Sequence, residues 1–132
     1  MSEQPDSTKP RTMHIGEVAE RTGLSLRTIR HYDEVGLLPA STRTEGGFRV
    51  FTDGDVERLL VVRRMKPLGF TLEEMADLLS IVDGLAVADG SRENGLLRER
   101  LAGYLESSAA KRNKMAENLA YADEFIATLE TY

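Results

Sequence analysis

TIRHYDEVGLLP, residues 28–39, crowds Arg30, His31 and Tyr32 onto a short helical stretch just after Arg27, then breaks at Gly36 and closes on Pro39. Leu26 and Ile29 fall on one side of this helix, and Arg27, Thr28, Arg30 and His31 fall largely on the other. Ser25 stands at its N-cap position. Immediately upstream, MHIGEVAERTGL sets Ile15, Val18, Ala19 and Thr22 at i, i+3, i+4 and i+7, one face of another short helix that Gly23 would end. Two short helices joined by TGLS make a helix-turn-helix.

Downstream, STRTEGGFRVFT carries a turn signal at Gly46-Gly47. The alternation after it would put Phe48 and Val50 on one side of a strand and Arg49 and Phe51 on the other, a small β-wing. Thr52 is placed to cap a third helix with Asp53 and Asp55 in its first turn, where the dipole favours anions. Val56, Leu59, Leu60, Val62 and Met65 carry it to Lys66, and KPLGF breaks it. Thr71 and Glu74 fit a capping box for a fourth helix. After a Gly-rich, acidic loop, Leu97, Leu101, Leu105, Ser108, Arg112, Met115, Leu119, Ala122, Ile126 and Leu129 follow one another at steps of three and four, alternating from Leu101 onward. That is a heptad seam with a polar centre. A lone helix this long has nowhere to bury its stripe, and packing against a copy of itself is the economical solution.

With 132 residues the chain suits one small domain plus an extension. It has no cysteine, which excludes disulfides and thiolate metal sites. No apolar run approaches a membrane span, and MSEQPDSTKPRTM has no apolar core of a secretory signal. A disordered leader and a cytoplasmic location are therefore expected. The net charge of −5 is unevenly spread: residues 11–70 hold 10 basic and 8 acidic side chains, residues 71–132 hold 6 and 12. A shared basic face counts for more than the total. His14 and His31 have no nucleophile or carboxylate at useful spacing, so no enzyme is expected, and no cofactor or metal.

The run IGEVAERTGLSLRTIRHYDEVGLLP, followed by EGGFRVFTDGDVERLLVVRRMKPLGFTLEEM and a terminal heptad helix, resembles the mercury-resistance regulator (MerR) family of bacterial transcription factors. Several motifs recur in register over about seventy residues, which is far more specific than a lone helix-turn-helix. The resemblance implies a mainly α fold: a winged helix-turn-helix with a small β-wing, then a long antiparallel coiled-coil dimerisation helix. It divides the chain into a leader (1–12), a DNA-binding domain (13–82), a linker loop (83–94) and a dimerisation helix (95–132). It also implies a homodimer on double-stranded promoter DNA, at a pseudo-palindromic operator that it distorts to activate or repress, with RNA polymerase as a further partner.

Carried over position by position, the family's DNA-facing residues become Ser25, Arg27, Thr28, Arg30 and His31 on the second helix, with Tyr32 beside them as a packing residue whose hydroxyl lies near the interface. Arg43, Phe48, Arg49 and Phe51 follow in the wing, and Lys66 in a second wing. Which arginine reads bases stays open. Phe48, Phe51 and His31 depart from the family's usual aromatics, and for Phe48 and Phe51 packing of the wing on the core stands beside DNA contact as an equal reading. Arg63 and Arg64 are expected to form surface salt bridges. The dimer seam becomes Leu97, Leu101, Leu105, Met115, Leu119, Ala122, Ile126 and Leu129. Metal- and redox-sensing members carry cysteines near the end of the long helix and drug-binding members a separate C-terminal domain. The expectation is a short form without an effector domain. The competing reading is a protein-interaction module that docks a partner through its long acidic helix.

Overall fold

A computed structural model describes residues 11–39, 42–43, 46–87 and 90–132, of which 42–43 are described by their backbone alone. The elements run β1 (Thr12–Met13), α1 (Ile15–Thr22), α2 (Leu26–Glu34), β2 (Thr42–Arg43), β3 (Arg49–Thr52), α3 (Asp53–Met65), a 3-10 turn (Lys66–Leu68), α4 (Leu72–Ala86) and α5 (Arg92–Glu130). The chain falls into two compact units that divide between Ala76 and Asp77, inside α4.

In the first unit, α1 ends where Gly23 adopts φ 72°, a left-handed conformation that costs glycine nothing. Two residues later the Ser25 hydroxyl accepts the Thr28 N–H and starts α2. The abrupt stop of α2 has a backbone cause. Gly36 (φ 84°) reverses the chain so that the Leu37 N–H reaches the Tyr32 carbonyl, which satisfies a carbonyl left over at the helix end. Arg58 of α3 then donates to the Leu37 carbonyl through Nε and Nη2 at 3.2 and 3.1 Å, tying that turn to the third helix.

The strand β3 lies between β1 and β2 and is antiparallel to both. Thr12 pairs with Thr52 and Met13 with Phe51, so Thr12 belongs to the sheet and not to a leader; residues 1–10 lie outside the described residues. The anticipated alternation in the wing does not hold. Val50 and Phe51 are both buried, because β3 is covered on both faces at that point, and Phe48 remains 66% exposed. Thr52 caps α3 in a reciprocal box with Asp55: each side chain accepts the other's backbone N–H. Asp55 is thereby buried, beyond the dipole role expected of it. Val18, Ile29, Tyr32, Phe51, Val56, Leu59 and Val62 make up the core. Leu26, expected there with Ile29, is instead exposed. It sits in the first turn of α2, a full turn ahead of Arg30.

In the second unit, α5 is capped by Ser91, which accepts the Asn94 N–H. The helix therefore starts three residues before the anticipated 95, and α4 persists to Ala86, so the loop is far shorter than 83–94. Ser91 and Asn94 form a cap that draws the helix start upstream. At about 1.5 Å per residue, the 39 residues of α5 make a rod of roughly 58 Å. Asp77 accepts from Arg100 and, at 2.8 Å, from the Tyr104 hydroxyl. Leu97 packs on Gly84: a Cβ there would stand 2.6 Å from Leu97 Cδ1. Leu97 is thus engaged within its own chain. Leu101 and Ser108 are half-buried, and the rest of the stripe is bare, with Leu105 72%, Met115 47%, Leu119 64%, Ile126 53% and Leu129 52% exposed. Tyr121 and Phe125, which the heptad count passed over, widen the exposed apolar surface near the C-terminus.

Candidate nucleic-acid interface

The outward face of α2 carries Arg27, Arg30 and His31, all exposed. Among the described residues no acidic side chain lies within ion-pair distance of either arginine. The inward face supplies the reason these side chains stand out: Ile29 and Tyr32 are buried and lock the rotation of the helix.

Beside α2 runs an open groove of about 580 Å³, with Arg27 and His31 on the α2 side and Arg63 and Lys66 at the end of α3. None of its lining residues is acidic. Three permanent positive charges around one open depression lined by no acidic residue can hold polyanion oxygens. Arg63 was expected to bridge on the surface. Instead its guanidinium lies over the helix-turn-helix turn, 3.7 Å from where a Cβ would stand at Gly23. The signal for it was present in the sequence: Arg63 and Lys66 are three apart, hence on one helix face.

The remaining expected contact residues divide sharply. Phe48 is exposed beside Arg30 in a second, smaller cleft. Phe51 and Tyr32, 1% and 2% exposed, belong to the core, so neither ring offers itself to a ligand; Tyr32 only closes the bottom of the groove. Ser25 and Thr28 use their hydroxyls on each other at 2.9 Å and on the helix cap. Arg43 pairs with Arg49 through the β2–β3 ladder, and its side chain lies outside the described residues.

Arg49 is drawn inward. Its Nε and Nη2 each donate to an Asp33 carboxylate oxygen at 3.1 Å, and Nη1 donates to the Val50 carbonyl. Nη1 also lies 3.9 Å from Asp55 Oδ2, and the guanidinium stands 4.3 Å from the Phe51 ring centre. Arg21 donates to Asp53 at 2.6 Å and holds that carboxyl below its ordinary value, linking α1 to the start of α3.

Among the described residues there is no cluster of side chains able to hold a metal ion, and no helix is long and apolar enough to cross a membrane. Residues 13–80 match the family model described as MerR HTH family regulatory protein, and residues 56–131 match that described as MerR, DNA binding. The mercuric resistance operon regulatory protein of Bacillus cereus is 46% identical over 69 residues, which span about half of each chain (52%). The regulator ZntR of Escherichia coli is 35% identical over 105 residues, 80% of this chain and 74% of that one. A solved structure of HiNmlR, described as a MerR family regulator lacking the sensor domain and bound to promoter DNA, superposes with a TM-score of 0.66. That match is 29% identical and covers 90% of this chain and 88% of the other. With family models matched from the first helix to the end of the long one, and a third of the residues shared with ZntR over most of its length, this chain belongs to the MerR family of helix-turn-helix regulatory proteins.

Proposed function

We propose that the protein is a homodimeric transcription regulator that binds a pseudo-palindromic promoter operator. The observation that carries this reading is the exposed face of α2, where Arg27, Arg30 and His31 have no ion-pair partner among the described residues; Arg27 and His31 border a groove lined by no acidic residue, while Glu34 joins all three in another cleft. In this reading α2 enters the major groove. Arg27 and Arg30 reach base edges, guanine best, because the guanidinium fork matches two acceptors at once. Arg63 and Lys66 neutralise phosphates on one flank, and the wing, with Arg43 and Phe48, lies along the other. Two copies pair antiparallel through α5 from Leu101 to Leu129, hiding the exposed heptad stripe and setting the spacing of the two recognition helices. Such a regulator works in the cytoplasm, where the promoter and RNA polymerase are, and carries out no catalysis.

The same geometry supports action by deformation. A clamp that grips two outer half-sites at fixed separation can bend and untwist the centre without touching it, at a cost of a few kcal/mol offset by the outer contacts. Selection of duplexes from a random pool followed by footprinting tests the core reading: two symmetric protected half-sites are expected. A chain that enriches no sequence and binds without salt dependence refutes it. Transcription from promoters whose spacer is shortened one base pair at a time tests the deformation; an effect indifferent to spacer length, on straight DNA, leaves only steric repression.

A further inference from the structure

Arg49 occupies a position where a wing phosphate ligand is expected, yet its side chain is only 12% exposed and each of its three nitrogens is engaged within the protein. Its partner Asp33 lies in the last turn of α2, the end of a helix where the dipole disfavours an anion. An aspartate placed there, on the element that faces nucleic acid, needs a cation to hold it and to mask it. The planar two-bond pairing supplies both, and it also fixes an angle, because both hydrogen bonds hold only in one mutual orientation. The contact to Val50 and the proximity to Asp55 add β3 and the α3 cap to the same junction.

We propose that Arg49 is a positioning residue that sets the wing at one angle to the recognition helix through Asp33, and that it is not a phosphate ligand. The proposal rests on the DNA-binding reading above and refines it. The probe is the duplex that the wild-type chain enriches from a random pool, with affinity measured across a series of salt concentrations. Lys66→Ala serves as the phosphate-contact control and lowers the salt slope by about 1. A phosphate ligand and a strut give opposite signs for Asp33→Asn. Freeing Arg49 and deleting a negative charge tightens binding if Arg49 is a ligand; it loosens binding if the pair sets the wing.

The expected result is a loss of about tenfold for Asp33→Asn, the scale of one forfeited base-pair contact, with the slope unchanged. Arg49→Lys, which keeps the charge and loses the fork, falls equally. The double variant Asp33→Asn/Arg49→Met stays as weak as either, which separates lost geometry from an unmasked Asp33 charge. Asp33→Asn is nearly isosteric and keeps the test readable should Arg49→Met fail to fold. Wild-type affinity or better in Asp33→Asn, full affinity in Arg49→Lys, or recovery in the double variant overturns the proposal. A wild-type chain that enriches no duplex defeats the DNA-binding reading itself, a separate and earlier failure.

Discussion

Truncating Leu119 to alanine tests the pairing of α5 quantitatively. In the single chain this side chain is 64% exposed, so most of what it could bury is still available to a partner. The substitution removes three carbons, each worth about 0.8 kcal/mol when buried. Scaled by the exposed fraction, that is about 1.5 kcal/mol per chain. A two-fold dimer contains the site twice, so the pair loses about 3 kcal/mol, about a hundredfold in the dimer Kd. Leu119→Asp goes further, because it puts an unpaired charge into the seam, and it should yield monomers at micromolar concentration. Sedimentation equilibrium measures both. Since Leu119 has little to lose within its own chain, thermal melting of the helix-turn-helix unit should be unchanged. Glu117→Ala, off the seam, should leave the association constant where it was. A Leu119→Asp chain that sediments as a dimer, or a Glu117→Ala chain that weakens as much as Leu119→Ala, would refute this interface.

Other outcomes follow from the same geometry. Alanine at Arg27 or Arg30 should relax base preference by about 1–3 kcal/mol at a defined operator position, while alanine at Arg63 should weaken all duplexes alike and flatten the salt slope by about 1, read by competition binding. Phe51→Ala should destabilise the first unit by about 3–5 kcal/mol, measured by urea unfolding, because a fully enclosed ring leaves a cavity under the Arg49 guanidinium. The Tyr104 hydroxyl first, and then Arg100, hold the Asp77 carboxyl below its ordinary 3.8. A carboxyl depressed in the folded state stabilises in full above its unfolded value and loses that contribution as pH falls through the folded one. Tyr104→Phe should therefore move the acid-induced loss of α5 helicity to higher pH, followed by circular dichroism; an unmoved transition would show that the Asp77 contact contributes nothing to the junction.

The helices were legible in the residues because their signals are local. Gly23 after an i, i+3, i+4, i+7 stripe, Ser25 as a cap, Thr52 before two aspartates and the Thr71–Glu74 box each act within one turn, and each stands where its spacing places it. The heptad stripe is likewise a property of one helix, and most of it is exposed as that pattern requires. The exposed basic face of α2 was legible for the same reason from Ile29, although the side chain that turns inward with it is Tyr32 and not Leu26.

What the tertiary structure decided is the fate of side chains whose partners lie far along the chain. Arg49 and Asp33 are sixteen residues apart, and nothing in either local pattern says that this arginine turns inward while Arg27 and Arg30 do not. The alternation in FRVF sets Phe48 with Val50 and Phe51 with Arg49, yet Val50 and Phe51 are buried together while Phe48 stays exposed, and β1 pairs with β3 at Phe51. Arg63 reads as a solvated helix residue until the turn at Gly23 is brought beneath it. Periodicity reports which face of an element is apolar. Which charged groups then meet, and so which remain unpaired on the surface, depends on distances between elements that are set only when the core closes.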